Sequence, residues 1–221
     1  MKILVVGASR GIGLEFVRQY RDAGAAVTAT ARDDVALARL AGLGATALRL
    51  DVLDAASASG LAAQISGGAF DVAIVNAGVN GERIAGLDAP IEADFDRVMR
   101  TNVLGPMRVI AQIAEALAPG ARLAVLSSRM GSIGSRTAAG SSLYRASKSA
   151  VNSVLKDASL VLGAKAVCIA FHPGWVKTDM GGAGADIDVE TSVAGMRGVI
   201  AKLAPKDSGT FLNYDGQAIA W

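Results

Sequence analysis

KILVVGASRGIG, residues 2–13, reads as a strand, a glycine turn and the first turn of a helix. KILVV is a short, nearly continuous apolar run, as expected of a strand buried on both faces of a parallel sheet. Gly7, Gly11 and Gly13 follow in Gly-x-x-x-Gly-x-Gly spacing, and Leu14, Phe16, Val17 and Tyr20 then recur at helical intervals up to Gly24. Glycines let the backbone approach a ligand closely, and the amides at a helix N-terminus favour negative charge, so this turn suits a phosphate. In a chain with 26 glycines the spacing alone says little. Its place between a strand and a helix gives it weight.

Outward from that stretch the same alternation repeats. AVTATA (26–31) is followed by a helix over about 34–42, ATALRL (45–50) ends at Asp51-Val52, and a helix over about 54–66 leads to DVAIV (71–75) and Asn76-Ala77-Gly78. From about 92 a long helical stretch carries Phe95, Val98, Met99, Val103, Leu104, Val109 and Ile113, with Asn102 inside it. Asn is a poor mid-helix residue, so Asn102 marks a site or a kink, or is simply a surface residue. Pro119-Gly120 is expected to stop this helix before the strand RLAVLSS. A helix over about 142–162, a strand AVCIAFH (166–172), a last helix over about 190–203 and a short strand TFLN (210–213) complete the series. The Gly/Asp-rich segment 177–190 reads as a mobile flap. Strands and helices alternating through short loops predict an α/β fold. The expectation is one domain over 1–221, with a doubly wound parallel sheet of about seven strands. Loops 7–13, 31–34, 51–52 and 76–80, at the carboxyl ends of the strands, should line one crevice.

Composition narrows the function. A chain of 221 residues can bury a core without a staple, and its formal charge of +2 comes with no run of Lys/Arg. A nucleic-acid footprint is not supported. One cysteine, Cys168, and one histidine, His172, remove an intramolecular disulfide, Cys-based zinc sites and most His-based triads. Both read as structural. The N-terminal apolar run is too short for a signal peptide, and no stretch approaches the 18 or more apolar residues of a membrane span. The expected compartment is the cytoplasm.

Two groups of residues carry chemistry. At Ala31-Arg32, where an NAD-binding chain tends to place an acid for the ribose 2′-hydroxyl, there is a guanidinium, and Arg10 adds another. Two arginines suit a 2′-phosphate, so NADP(H) is favoured over NAD(H), although Asp33 and Asp34 would weaken this if the strand ran longer. Tyr144 and Lys148 lie four apart on a helix and face the same way. An ammonium beside a phenol is expected to lower the pKa of Tyr144, making it a general acid near neutral pH. Ser128, in the run SSRMGSIGSRTAAGSS, is placed to return a second hydroxyl to the same point.

With these pieces in place, the chain resembles the short-chain dehydrogenase/reductase superfamily, a Rossmann-fold family, from residue 2 to the end. Gly7, Gly11 and Gly13 match its cofactor loop, Asp51 its adenine-contacting acid, and Asn76-Ala77-Gly78 its sheet-supporting Asn-Ala-Gly. Asn102, Ser128, Tyr144 and Lys148 match its Asn-Ser-Tyr-Lys tetrad, and Pro173-Gly174 with Thr178 match the segment over the nicotinamide carboxamide. The resemblance implies that Ser9, Arg10, Ile12, Arg32, Val52, Val176, Tyr144 and Lys148 also contact the cofactor, and that Asn102 holds a water serving proton return. The chain departs from the family at Val6 and Val75. A longer gap than usual between Ser128 and Tyr144 leaves Ser127 and Ser132 as alternative serines, Ser128 being preferred for its Ser-x-x-Gly match at 128–131. SSRMGSI, YRASKSAVN, HPGWVKTDMGG and SGTFLNYDGQAIAW resemble the subgroup of C-factor proteins and sniffer-type carbonyl reductases. That implies NADPH-dependent interconversion of a carbonyl and an alcohol. The rival is a cofactor-binding signalling or scaffold protein with vestigial catalysis. An extended-branch epimerase is disfavoured, because too few residues follow Gly174 for a substrate domain. Arg129, Met130, Trp175 and residues 179–186 are expected to shape the substrate pocket, and the family implies a homodimer or homotetramer.

Overall fold

The computed structural model describes residues 1–82 and 86–221. Strand β1 (Lys2–Val6) shows why the chain builds two cores rather than one. Ile3 and Val5 point into one apolar layer, Leu4 and Val6 into the other, and all four are fully buried. Period-two alternation of a wholly apolar strand requires cover on both faces. Helices α1 (Gly11–Asp22), α2 (Asp34–Gly42) and α8 (Val189–Lys202) cover one face, with Phe16, Leu40 and Met196 in the core. The other face is covered by α3 (Ala55–Ser59), α4 (Leu61–Gln64), α6 (Gly105–Ile113) and α7 (Ser142–Leu162).

The remaining strands are β2 (Ala26–Ala31), β3 (Thr46–Arg49), β4 (Phe70–Val75), β5 (Leu117–Leu126), β6 (Ala166–His172) and β7 (Thr210–Asn213). They form a seven-stranded sheet in the order β3-β2-β1-β4-β5-β6-β7, parallel throughout. The order reverses between β1 and β4, and the crevice opens above their carboxyl ends, where ligands bind in open α/β sheets.

Three expectations are corrected. The helix expected over 54–66 is two short helices broken at Gly60. The long helix from 92 is α5 (Glu92–Met99), a π turn at Arg100–Leu104, then α6, which gives way to a 3₁₀ turn at Ala114–Ala116. Pro119-Gly120 does not stop it. These residues lie within β5, in a bulge between the pairs Phe70–Leu117 and Val72–Arg122, where Gly120 takes φ +76°. The Gly/Asp-rich segment expected to form a flap carries its own backbone hydrogen bonds. Trp175 O accepts from the amides of Asp186 and Ile187, Ile187 O from Lys177 N, and Gly182 N donates to Thr178 O.

Candidate active site

The glycine loop is shaped by close approach. A Cβ on Gly13 would lie 2.2 Å from the Gly7 carbonyl oxygen and 2.7 Å from Asn76 Nδ2. That amide donates to the Gly7 carbonyl at 2.6 Å, so Asn76 at the end of β4 clamps the loop at the end of β1. Ala77 packs directly on Gly7. Arg10 caps α1 without a side-chain hydrogen bond, so no cap side chain satisfies the first amides of the helix at the end of β1. Across it stands Thr178, whose methyl is the nearest atom to Gly11 on that side.

Beside the loop, both nearby acids have other partners. Asp33 caps α2 through the amide of Ala36, and Asp34 pairs with Arg49. β2 ends at Ala31, so neither carboxylate occupies the strand-end position. Arg32 is exposed there, and Arg39 on α2 reaches back to the Ser9 carbonyl at 3.3 Å. Arg10 meets Asp179 at 2.8 Å, tying the glycine loop to the 177–187 segment. At the end of β3, Asp51 accepts from the Leu53 amide, while Val52 is buried against Gly105.

The three candidate serines have different partners. Ser127, which lines the pocket beside Ser128, donates its Oγ to buried Asn152 Oδ1 at 2.5 Å, and Ser132 Oγ donates to the Ala220 carbonyl at 2.5 Å. Ser128 Oγ accepts from the Met130 amide at 3.2 Å, and Ser128 lines one pocket with Tyr144. Gly131 lies against the backbone of Lys148, where a Cβ would sit 2.7 Å from its carbonyl carbon, so this loop is seated on α7. Lys148 is buried, its Nζ donating to the Leu126 carbonyl at 3.0 Å and lying 5.7 Å from the Tyr144 ring centroid.

The expected depression of the Tyr144 pKa is not found. Burial pushes the phenol above its ordinary value, and the nearby Ser128 hydroxyl opposes this only in part. Burial also pushes Lys148 down from 10.5 to about 8, so its charge is weakened and directed at a carbonyl rather than at the phenol. Asn102 sits in the π turn, fully buried. Its Oδ1 accepts from Val79 N at 2.8 Å, and its Nδ2 donates to Val79 O and Ser147 Oγ, each at 2.9 Å. Asn102 thus ties the loop after β4 to α7, its amide donating to both. Asn102 and Lys148 flank Gly78 from two sides.

A pocket of about 560 Å³ opens over these groups, lined among others by Ile12, Ser128, Tyr144, Pro173, Gly174, Val176 and Thr178. Met130, Trp175 and Met180 give it an apolar wall, while Arg129, Arg136 and Arg145 give it a cationic one. Trp175 Nε1 donates to the Gly181 carbonyl, which fixes the indole against the Gly/Asp-rich segment. His172 also lines the pocket; burial and the Arg129 charge push it down to about 4, so it is neutral at pH 7.

A family model described as short chain dehydrogenase matches residues 1–186. The chain belongs to the short-chain dehydrogenase family. This dehydrogenase is 41% identical over 163 residues to the C-signal of Myxococcus xanthus, a match covering 72% of the chain and 98% of the relative. The carbonyl reductase Sniffer of D. melanogaster superposes with a TM-score of 0.89 at 31% identity, covering 100% of this chain and 99% of that one. An NADPH-bound carbonyl reductase from chicken fatty liver gives 0.86 at 34% identity, covering 100% and 98%. The dehydrogenase is therefore an oxidoreductase of the carbonyl-reductase and C-factor type.

Sequence reasoning missed Arg39, Arg136 and Arg145. Arg39 is an ordinary helical residue until α2 packs beside the loop. For the other two a signal existed. Residues 116–156 contain no Asp or Glu, an asymmetry hidden by the near-neutral total.

Proposed function

We propose that the protein is an NADPH-dependent reductase of an aldehyde or ketone, with Tyr144 as proton donor. One observation carries this reading: Ser128 and Tyr144 line one pocket together with the glycine-loop residue Ile12, and buried Lys148 holds its Nζ 5.7 Å from the Tyr144 ring centroid.

The loop fits a dinucleotide. The space at Gly13 is closed by the Gly7 carbonyl and the Asn76 amide, and the first turn of α1 has no side-chain cap. Arg32 and Arg39 supply cations, with Arg10 beside them paired to Asp179, while Asp33 and Asp34 are engaged elsewhere. Amides would hold the pyrophosphate and guanidiniums a 2′-phosphate, which favours NADP(H) over NAD(H). Binding of NADPH by the chicken carbonyl reductase accords with this. Ser9, Gly7, Asp51, Val52, Asn76, Ala77 and Gly78 would line the adenosine and central parts of the site, and Pro173, Gly174, Val176 and Thr178 the nicotinamide end.

When bound, the reduced nicotinamide supplies a hydride to the carbonyl carbon. Tyr144, kept protonated by burial, gives its proton to the carbonyl oxygen as negative charge grows there. Ser128 donates a hydrogen bond to the same oxygen, acting where charge develops. Lys148 orients the cofactor ribose and returns a proton toward Tyr144, and Asn102 positions the loop at Val79 that forms the neighbouring wall. Met130 and Trp175 would contact the apolar part of the substrate, with Arg129 beside them. In place of a vestigial scaffold, the complete set of groups favours turnover.

Tyr144→Phe should lower kcat/KM for aldehyde reduction by roughly 10²–10⁴-fold and leave NADPH affinity, read by energy transfer from tryptophan, almost unchanged. A variant that keeps most of its activity removes Tyr144 from the role.

A further inference from the structure

The pocket over Tyr144 is cationic in a way that proton donation does not require. Arg129, Arg136 and Arg145 all line it, and no Asp or Glu does. Among the described residues none of the three forms a salt bridge. Arg145 is half-buried, and its Nε donates to the Gly140 carbonyl at 2.8 Å, so the guanidinium is oriented rather than free in solvent. Arg129 lies close enough to His172 to shift its titration. His172 adds no charge, and no acid occurs between Ala116 and Lys156 to provide a counter-ion.

Several guanidiniums around one cavity repel each other until an anion joins them. The cofactor phosphates are not that anion. Their site is the α1 N-terminus with Arg10, Arg32 and Arg39, and the α1 residue Ile12 marks one end of this pocket. Arg129, Arg136 and Arg145 instead belong to the loop after β5 and the start of α7, the segments that carry Ser128 and Tyr144. All three line the same pocket as Ser128 and Tyr144, so an anion they hold shares one cavity with the reacting carbonyl. Met130, Trp175 and Met180 face the rest of the molecule.

We infer that the substrate is an amphipathic carbonyl compound bearing an anionic oxygen group, a carboxylate or a phosphate, bound by Arg129, Arg136 and Arg145. The inference rests on the carbonyl-reductase reading and names its substrate class. Planar guanidiniums match either group with paired hydrogen bonds.

Three probes differing in one substituent test it: 4-formylbenzoate, its methyl ester, and 4-formylphenyl phosphate. In each, the aldehyde carbon gains a hydride and the oxygen gains a proton from Tyr144, giving the benzyl alcohol and NADP⁺ from NADPH. A charge-assisted contact is worth enough for roughly tenfold or more in kcat/KM, so the acid should exceed the ester by at least that factor. Raising NaCl should erode the advantage. In Arg136→Gln and Arg145→Gln the acid-to-ester ratio should fall to within about twofold. A phosphate arm that outruns the carboxylate arm assigns the site to phosphate; the reverse assigns it to carboxylate. Equal rates for acid and ester in the unmodified enzyme overturn the inference. If no probe is reduced, the reductase reading fails, and binding decides the anion site separately. Quenching of Trp175 emission at tenfold lower concentration by the acid than by the ester retains the site, and equal quenching overturns it.

Discussion

Lys148 shows a functional residue placed against the interest of stability. Its ammonium is buried with one carbonyl partner, and burial lowers its pKa to about 8. Because that value lies below the 10.5 of an exposed lysine, folding expels a proton in the window between them. Stability therefore rises as pH climbs from about 8 to 10.5, and below about 8 the buried charge costs roughly 3 kcal/mol. Lys148→Met should lose activity yet stabilise the protein at pH 7 by about 1–2 kcal/mol, the remainder being offset by the orphaned Leu126 carbonyl. The gain should shrink toward pH 10. Denaturant melts of both proteins at the two pH values check this, and a variant equally destabilised at both would contradict the assignment of the cost to charge. The same titration predicts that reduction falls as pH rises through about 8, as Lys148 loses its proton while Tyr144 keeps its own.

At the scale of elements, the site depends on one loop seated on one helix. The 3₁₀ turn at Arg129–Gly131 rests on α7 through Gly131, which leaves no room for a methyl group against the Lys148 backbone. Gly131→Ala should push Ser128 away from Tyr144 and lower kcat by roughly 10–10²-fold, with NADPH affinity retained because the glycine loop is untouched. Loss of affinity together with kcat would show that the two loops are coupled. We propose that a second pair of elements sets cofactor choice. α2 carries Arg39 to the Ser9 carbonyl beside the loop after β1. Arg39→Ala should weaken NADPH about tenfold and NADH hardly at all, as measured by tryptophan-to-nicotinamide energy transfer. Equal weakening of both would reduce Arg39 to a loop support.

For the whole molecule, apolar side chains remain uncovered on two helical surfaces: Phe95 and Met107 on α5–α6, Leu160 and Val161 on α7. We read these surfaces as the contacts of a homodimer or homotetramer. Leu160→Asp with Val161→Asp should give a monomer by sedimentation velocity, whereas an unmodified protein that already sediments as a monomer ends this reading. Much of the architecture was legible in the chain because it is written in local periodicity. β1, β2, α2, α7, β6 and β7 appear where the apolar patterns place them, and the Gly7–Gly13 turn lies between its strand and helix. The breaks were less legible. The π turn around Asn102 is stabilised by Val79 and Ser147, and the β5 bulge by register with β4, partners distant in sequence. So too with the site. The sequence by itself determined the fold class, the phosphate turn and the Tyr144–Lys148 pair, since each needs only neighbours within a turn or a strand. Only the tertiary structure decided what each serine bonds to, which way burial moves the Tyr144 proton, and that three arginines share its pocket. Hydrogen bonding, desolvation and charge depend on what surrounds a group in space, and the fold alone brings those surroundings together.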